Sequence, residues 1–362
     1  MLETNKVYEM DCLEGMRELA DNSCDCCVTD PPYGIRFMGK TWDYDIPPVA
    51  IWKEVLRVLK PGAHMLVACG TRTQHRMAVN IEDAGFGIRD VICWHYGEGF
   101  PKSVDIGAAM NKVGKREEAK RWDGWGTALK PATEFWTLAR KPLAEDTITG
   151  NILRFGAGGL HIDACRIDAP DAKGGEYTVK RLKAGAELIR TGGKWRPDGE
   201  DAELYHGSMK PGRFPANVIL DEFMAGELDA QSGLLVSGRP SGIRRAANNV
   251  YGRYAPGQEV TGYGDVGGAS RFFYVAKADE SERGEGNRHP TVKPLRLMHY
   301  LIRLICPLEA GRVVLEPFAG SGTTCVAARQ LGLNFYAFER VADYARTAER
   351  RIREALGLFY GM

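Results

Sequence analysis

An acid, two prolines and a tyrosine follow one another directly after the apolar stretch CDCCVT. These residues are Asp30, Pro31, Pro32 and Tyr33. The prolines fix the backbone and remove two N–H donors, so the turn is rigid and its carbonyls stay available as acceptors. Asp30 adds a carboxylate and Tyr33 a flat ring. The turn therefore suits a planar group with an exocyclic amine, which it would hold by hydrogen bonds and by stacking.

An amine on such a ring is a poor nucleophile, because its lone pair is delocalised into the ring. Hydrogen bonds from the amine to Asp30 and to the Pro31 carbonyl would favour the pyramidal nitrogen of the transition state. The pattern thus predicts attack by the amine on a methyl donor, with Asp30, Pro31, Pro32 and Tyr33 as catalytic residues. A turn that merely ends a strand is the alternative for so short a motif.

A glycine-rich turn near the other end of the chain indicates a ligand site. The stretch VVLEPFAGSGTT covers residues 313–324. No lysine follows Gly322, which argues against a phosphate-binding loop, and Cys325 replaces the third glycine of a dinucleotide fingerprint. The remaining interpretation is an S-adenosylmethionine site, where Gly320 and Gly322 let the backbone approach the ligand. Glu339, after the next apolar stretch, is suited to accept hydrogen bonds from ribose hydroxyls.

Alternating strand and helix patterns must position these two turns. The predicted strands cover residues 6–11, 24–30, 63–70, 88–96, 132–141, 312–317 and 334–339, and the predicted helices 13–20, 48–60, 72–85, 296–307, 322–332 and 341–356. This alternation predicts an α/β fold with a parallel sheet covered by helices on both sides. Ligands of such sheets bind at the carboxyl ends of the strands, where both turns are expected.

The composition changes over residues 150–285, which are rich in Gly, Arg, Lys and Tyr and poor in long apolar runs. We expect an inserted, partly irregular module with three ordered pieces, AGGLHIDACRI, RFPANVILDE and SRFFYVAKA. The chain thus divides into 1–149, with the catalytic motif, the insert 150–286, and 287–362, with the cofactor motifs.

The overall composition excludes some classes of protein. The 362 residues include 48 Lys and Arg against 47 Asp and Glu, so any basic surface must be local. No apolar run is long enough to span a membrane, and the first residues do not form a signal peptide, so a cytoplasmic protein is expected. The nine cysteines lie in apolar segments without a partner pair at zinc spacing. We therefore expect neither disulfides nor a metal site.

Four motifs in this order resemble those of the amino-group DNA methyltransferases. They are MDCLEGM, DPPYG, HPTVKPLRLMHYLI (His289 to Ile302) and EPFAGSGTT. Their order is similar to that of the β class of N6-adenine and N4-cytosine enzymes, and the insert resembles those of phage and prophage methylases. The resemblance implies a circularly permuted Rossmann-like methyltransferase fold, with a mostly parallel seven-stranded sheet, flanking helices and an inserted target-recognition region.

The resemblance also assigns residues to the cofactor, S-adenosyl-L-methionine. Asp11 would contact its adenine and Glu339 its ribose, while Thr291 and Lys293 would lie at its methionine end, with Lys293 facing the carboxylate. The full predicted set is Asp11, Cys12, Asp30, Thr291, Lys293, Glu316, Pro317, Phe318, Gly320, Ser321, Gly322, Thr323, Glu339 and Arg340.

The activity that the resemblance implies is methylation of adenine N6 in a specific double-stranded DNA sequence, after the base is flipped out of the helix. Adenine is favoured because D-P-P-Y accompanies adenine N6 more often in this family, whereas S-P-P-Y accompanies cytosine N4. Cytosine N4, an RNA methyltransferase, a catalytically silent DNA-binding regulator and a nicotinamide-dependent oxidoreductase remain alternatives. A homodimer is expected from the family.

Clusters of basic and amide side chains are the candidates for DNA contact, since Arg and Lys neutralise phosphates and Arg or Asn read base edges. One cluster follows the DPPY turn and the others lie in the insert. The predicted residues are Arg36, Lys40, Trp42, Lys194, Arg196, Arg239, Arg244, Arg245, Asn248 and Arg253.

Overall fold

A computed structural model describes residues 2–36, 43–97, 99, 101, 103–169, 174–182, 202–236, 266–276, 287, 289 and 292–357. Most of the predicted DNA contacts and one predicted cofactor contact therefore lie outside the described residues. They are Lys40, Trp42, Lys194, Arg196, Arg239, Arg244, Arg245, Asn248, Arg253 and Thr291.

Strands and helices alternate along both ends of the chain, as predicted. The strands are β1 (Lys6–Tyr8), β2 (Cys26–Thr29), β3 (His64–Gly70), β4 (Gly87–His95), β5 (Thr133–Arg140), β6 (Gly175–Leu182), β7 (Ala202–Met209), β8 (Val218–Asp221), β9 (Leu235–Val236), β10 (Val266–Gly267), β11 (Tyr274–Ala276), β12 (Val313–Glu316) and β13 (Asn334–Phe338). The helices are α1 (Cys12–Arg17), α2 (Val49–Val58), α3 (Gln74–Asp83), α4 (Ile106–Lys112), α5 (Arg116–Arg121), α6 (Ile148–Phe155), α7 (Glu222–Ser232), α8 (Leu295–Ile305), α9 (Thr323–Gln330) and α10 (Ala342–Gly357).

The main sheet has the strand order β1-β13-β12-β2-β3-β5-β4-β8-β11. Strand β5 runs antiparallel to both neighbours, and the other pairs are parallel. The α/β class with a mostly parallel sheet is therefore confirmed. The described part of this sheet holds nine strands rather than the predicted seven, because β8 and β11 of the middle segment extend it beside β4.

Two hydrophobic layers cover the two faces of the sheet. One contains residues of α8, α9 and α10, such as Leu301, Ala327 and Ile352. The other contains residues of α1, α2 and α3, such as Met16, Trp52 and Met77. This is the arrangement that a parallel sheet requires, because both of its faces must be removed from water.

Strand β2 shows why its sequence is continuously apolar. Cys26, Cys27, Val28 and Thr29 are all fully buried. Cys26 and Val28 belong to one hydrophobic layer and Cys27 to the other. Burial raises the pKa of the Cys27 thiol well above its ordinary value, as expected of an unreactive core thiol. The cysteine cluster is therefore core packing.

Segments from the two ends of the chain lie side by side in the sheet. Strands β12 and β13, near the end of the chain, lie between β1 and β2, near its start. The end of β2, which leads into Asp30, therefore lies beside Glu316 at the end of β12. This order is the one that the predicted circular permutation requires, while the permutation itself stays a prediction about ancestry.

The structure contains several elements that the sequence did not lead us to expect. Helix α6 overlaps the start of the predicted insert, and β6 and β7 form an antiparallel pair within it, so this segment has more ordered pieces than the three expected. Helices α4 and α5 occupy a stretch that we expected to be a loop, and Asp105 caps α4 by accepting from the Ala108 N–H. Helix α7 follows β8, with Asp221 as its cap. Apolar residues do not recur at helical spacing over a long stretch of these short helices. Their capping residues are therefore the main helix signal in their sequences. No described helix is both long and apolar enough to cross a bilayer.

Candidate active site

A cavity of about 570 Å³ lies at the carboxyl edge of the sheet. Because β5 is antiparallel, the start of β5 meets the ends of the parallel strands at this edge. The cavity is lined from both halves of the chain. Its lining includes Asp11, Asp30, Pro31, Pro32, Tyr33, Tyr96, Glu134, Lys293, Gly320 and Glu339. The structure thus brings the DPPY turn and the glycine turn to one site, as the sequence predicts.

The DPPY turn is held by more than its prolines. The Asp43 carboxylate accepts hydrogen bonds from the Tyr33 N–H at 2.7 Å and the Gly34 N–H at 2.9 Å. The Thr73 hydroxyl donates to the Tyr33 carbonyl at 2.7 Å. A side chain at Gly70 would begin 3.2 Å from the Tyr33 ring. Asp43 is fully buried, so this carboxylate is committed to the turn.

Within the turn, the Tyr33 hydroxyl donates to Asp30 Oδ1 at 2.8 Å. Asp30 Oδ2 lies 2.8 Å from the Lys293 Nζ. The same ammonium lies 3.1 Å from Glu134 Oε2 and donates to the Tyr33 hydroxyl at 3.2 Å. The site therefore contains a compact cluster of two carboxylates, one ammonium and one phenol.

Burial sets the protonation of this cluster. Burial lowers the pKa of Lys293, but the carboxylates of Asp30 and Glu134 outweigh it, so its pKa lies above the ordinary value and the amine is charged. Burial raises the pKa of Glu134, and the neighbouring ammonium opposes that rise. Burial, together with the charge of Asp30, also raises the pKa of Tyr33. Tyr33 is therefore a neutral phenol that donates a hydrogen bond.

The glycine turn is closed by a carboxylate. Glu339 accepts hydrogen bonds from the Gly320 N–H and the Val341 N–H, each at 2.8 Å. Burial raises the pKa of Glu339 above its ordinary value. Gly320 has a positive φ of 52°, and a side chain there would begin 3.0 Å from His289 Nε2. Only a glycine fits this corner of the cavity without strain.

Gly322 lies where two helices pack together, and its predicted contact with the cofactor stays a prediction. It has a φ of 82° at the start of α9, and a Cβ there would lie 2.7 Å from the Cβ of Ala348. Gly322 is absent from the residues that line the cavity. Of the two glycines, Gly320 therefore borders the ligand space, and Gly322 lets α9 pack against α10.

Glu316 joins three segments beneath the cavity. Its carboxyl group accepts hydrogen bonds from the Thr29 hydroxyl, from the Thr324 hydroxyl at 2.5 Å and from the Phe318 N–H at 3.0 Å. Burial raises the pKa of Glu316 to about 8, although these hydrogen bonds oppose the rise. Glu316 lines the cavity, but its oxygens are used to hold the ends of β2, β12 and α9 together.

The other predicted cofactor residues lie around the cavity wall. Asp11 caps α1 by accepting from the Leu13 N–H at 2.9 Å, and Cys12 is buried next to it. The remaining described members that line the cavity are Pro317, Phe318, Ser321, Thr323 and Arg340. The buried Arg351 holds Ser321 and Thr323 through hydrogen bonds of 3.1 Å to each hydroxyl.

Arg36 is the one predicted DNA contact among the described residues. It is exposed, and its guanidinium lies 4.9 Å from the centre of the Tyr44 ring. Tyr44 lines the cavity, so Arg36 lies near its rim. Its contact with DNA stays a prediction.

Sequence reasoning missed several residues of the site, among them Asp43, Thr73, Tyr96 and Glu134. Asp43 and Thr73 contact the turn from outside its motif, and nothing near them in the sequence indicates this. Glu134 had a detectable signal, because it is a carboxylate at the start of a strand, TEFWTLAR, whose middle residues are buried.

The cavity fits S-adenosylmethionine in size and in chemistry. A volume of about 570 Å³ lies within the range of small-molecule sites, roughly 300–1,000 Å³. Each Glu339 oxygen accepts one backbone N–H and keeps a second acceptor position, which suits the two hydroxyls of a ribose. The positive φ of Gly320 keeps the wall beside Glu339 free of a side chain.

We found no group of His, Cys, Asp or Glu side chains suited to hold a metal ion in the part of the chain that the structure describes.

Comparison with known proteins places the chain in a family. The profile of the N6/N4 methyltransferase family, described as DNA methylase, matches residues 24–350. The chain therefore belongs to this DNA methylase family. As a member of this family it uses S-adenosyl-L-methionine as methyl donor, as the four motifs predicted. Membership of this family also removes the reason to consider a nicotinamide-dependent oxidoreductase.

Individual relatives agree with this family. The type II methyltransferase M.HindIII of Haemophilus influenzae is 21% identical over 92% of this chain and 90% of its own length. The type II methyltransferase M.HinfI of Haemophilus influenzae is 41% identical over a shorter match, 19% of each protein.

Among solved structures, the complex of M1.HpyAVI with S-adenosylmethionine is 17% identical, with a TM-score of 0.43, and the match covers 96% of this chain and 98% of that one. The cytosine-N4-specific PvuII DNA methyltransferase is 14% identical, with a TM-score of 0.47, over 97% of this chain and 90% of that one.

Proposed function

We propose that this protein transfers a methyl group from S-adenosyl-L-methionine to the N6 of adenine in a specific double-stranded DNA sequence. The observation that carries the proposal is that one cavity is lined both by the DPPY turn and by the Gly320 and Glu339 pair. An amine site and a nucleoside site in one cavity are what a transfer between the two requires.

The Asp30 end of the cavity would hold the amine. Each Asp30 oxygen accepts one hydrogen bond within the protein, from Tyr33 or from Lys293, and so keeps a second acceptor position. The amine N–H groups would donate to Asp30 and to the Pro31 carbonyl. Both acceptors are fixed before the amine arrives, so they stabilise the nitrogen as positive charge develops on it without further reorganisation.

The cofactor, when bound, supplies an electrophilic methyl group. Glu339 would hold its ribose hydroxyls, and Asp11 would bind near its adenine. No side chain of the cavity needs to form a covalent intermediate. The thiol pKa of Cys12 is raised to about 12 by burial, and that of Cys69 to about 11, so neither is a ready nucleophile.

The target base must leave the duplex to reach Asp30, which costs a few kcal/mol. Two aromatic residues of the cavity, Tyr33 and Tyr96, are available to stack on it, at about 1–3 kcal/mol per base. Stacking thus offsets much of the flipping cost.

Adenine is proposed over cytosine because the motif begins with Asp30 rather than with serine. The hydrogen-bond geometry accepts either amine, so cytosine N4 is the competing outcome of the test. The predicted contacts of the insert with DNA, including those of Arg239, Arg244 and Arg245, are part of the proposal. So are the homodimer and the cytoplasmic location.

The test separates methyl transfer from cofactor binding. We expect Asp30→Ala to lose transfer of labelled methyl to DNA by roughly 100-fold or more, since an electrostatic contact of the transition state is removed. The affinity for S-adenosylmethionine, measured by calorimetry, should remain close to that of the wild type. Asp83→Ala, an exposed change at the end of α3, is the matched control and should leave both unchanged. Full methyl transfer by Asp30→Ala would refute the assignment.

The substrate also decides between related functions. DNA and RNA of the same sequence should be offered side by side, and hydrolysed products should be examined for N6-methyladenine and N4-methylcytosine. Transfer of the labelled methyl group to RNA but not to DNA would favour an RNA methyltransferase. Transfer to neither substrate would favour a silent DNA-binding regulator.

A further inference from the structure

The Lys293 ammonium lies among acids of the amine site. It is 2.8 Å from Asp30 Oδ2, 3.1 Å from Glu134 Oε2 and 3.2 Å from the Tyr33 hydroxyl. Only 7% of its side chain is exposed, against 20% for Asp30 and 16% for Glu134. Asp30 and Tyr33 stand at the two ends of the DPPY turn, whereas Glu134 and Lys293 come from distant parts of the chain. Their convergence therefore depends on the fold.

A buried ammonium must be compensated by nearby charge, because its removal from water is costly. Both carboxylates supply that compensation here, and they keep Lys293 charged. The amine is thus committed to acids that the chain itself provides. The resemblance assigned Lys293 to the carboxylate of the cofactor, which would have to compete with Asp30 and Glu134 for the same charge.

The two contacts of Asp30 fix the plane of its carboxylate. Tyr33 donates to Oδ1 and Lys293 contacts Oδ2, so rotation about the bond between Cβ and the carboxyl carbon would break both contacts. A carboxylate held at both oxygens presents its remaining lone pairs in fixed directions. For a reaction that depends on the orientation of an amine, such fixation matters directly.

We propose that Lys293, braced by Glu134, is a positioning residue that fixes the Asp30 carboxylate for the target amine. Glu134 lies at the start of β5, where its backbone pairs with Gly70 of β3 and Trp94 of β4. This rigid site on the sheet holds the flexible lysine side chain in place. The inference rests on the proposed methyl transfer, because it concerns the orientation of the acceptor in that reaction.

Three variants test the positioning role. Lys293→Met removes the charge and keeps much of the length, Lys293→Arg keeps the charge, and Glu134→Gln keeps the shape of the brace. Cofactor affinity is measured by calorimetry, and the chemical step by single-turnover methyl transfer at saturating cofactor. Lys53→Met, on the exposed face of α2, is the control for loss of a lysine charge.

We expect Lys293→Met to slow the chemical step by about 100-fold, as a misplaced acceptor does, while the cofactor dissociation constant changes less than about threefold. Glu134→Gln should slow the same step by about tenfold, and Lys293→Arg should recover part of the rate lost in Lys293→Met. Circular dichroism identifies any variant that fails to fold. If Lys293→Met does not fold, the test rests on Glu134→Gln and Lys293→Arg.

A loss of cofactor affinity beyond about tenfold in Lys293→Met would overturn the proposal, since it would place the ammonium on the cofactor. An unchanged chemical step in both Lys293→Met and Glu134→Gln would overturn it too. Failure of the proposed function looks different, because the wild-type protein would then transfer no methyl group and there would be no rate to compare.

Discussion

Two carboxylates of the DPPY region are used in opposite ways. Asp43 is buried and accepts from two backbone N–H groups of the turn. Asp30 contacts Tyr33 and Lys293, and both carboxylates border the cavity. Asp43 therefore fixes the backbone, while Asp30 keeps acceptor positions for a ligand. The same chemical group is structural in one place and is proposed to act on the substrate in the other, because burial and backbone donors differ.

Glu316 makes the stability of the protein depend on pH. Its pKa in the folded state is raised to about 8 by burial, while an unfolded glutamate titrates near pH 4.3. The folded state therefore binds more protons between these two values. The stability that this group contributes is present below about pH 4 and is lost as the pH rises through about 8.

We expect Glu316→Gln to remove this dependence. Between pH 5 and pH 8, the free energy of unfolding of the wild type should fall relative to that of the variant, on the order of a few kcal/mol. Urea unfolding at both pH values measures the difference, and Glu309→Gln, an exposed acid, is the control. Equal pH slopes for wild type and Glu316→Gln would contradict the raised pKa.

At the scale of elements, the glycine turn forms part of the cavity wall and also takes part in the packing of α9 against α10. Gly320 borders the cavity, whereas Gly322 contacts Ala348 of α10. The two glycines are only two residues apart, so the start of α9 connects the wall of the cavity with the packing of α9 against α10. Arg351 of α10 strengthens this connection through its hydrogen bond of 2.6 Å to the Ser321 carbonyl.

Alanine substitutions should separate the two roles. Gly322→Ala combines an unfavourable positive φ with a clash at Ala348, and we expect it to lower the free energy of unfolding by about 2–4 kcal/mol. Gly332 also has a positive φ, of 74°, but open space around it. Gly332→Ala therefore serves as the control and should cost about 1 kcal/mol, the backbone penalty alone.

Gly320→Ala should act mainly on the cofactor. Its Cβ would meet the His289 ring at 3.0 Å beside the cavity, so the affinity for S-adenosylmethionine should fall more than in Gly322→Ala. Calorimetry and urea unfolding of the same three variants compare binding with stability. The assignment fails if Gly322→Ala is as stable as Gly332→Ala.

At the scale of the whole molecule, long-range pairing creates the site. Strand β12 pairs with β2. This pairing places Glu316, at the end of β12, beside the end of β2, which leads into Asp30, although the two residues are far apart in sequence. Within the stretch that joins them, the predicted insert, residues 150–286, contains β8 and β11, which extend the far edge of the sheet. The described strands of this segment are thus part of the same sheet as β2, whose end leads into Asp30.

Much of this arrangement could be predicted from the sequence. Periodicity located the main strands and helices, and the two turns indicated both halves of the cavity because strand ends of a parallel sheet meet at one edge. The contacts of Asp43 and Thr73 could not be predicted, since they depend on which side chains meet after folding, whereas Glu134 carried a signal as a carboxylate at the start of a strand. The packing of Gly322 against Ala348 could not be predicted for the same reason, since Ala348 is distant in sequence.

The most direct test of the central claim is made in cells. The protein should be expressed in a host without DNA methylation, and the host DNA sequenced by a method that distinguishes N6-methyladenine from N4-methylcytosine. We predict N6-methyladenine at one recurring sequence with the wild-type protein and none with Asp30→Ala. N4-methylcytosine would show that the target base is cytosine rather than adenine. DNA without any methylated base, from cells in which the wild-type protein is well expressed, would contradict the account.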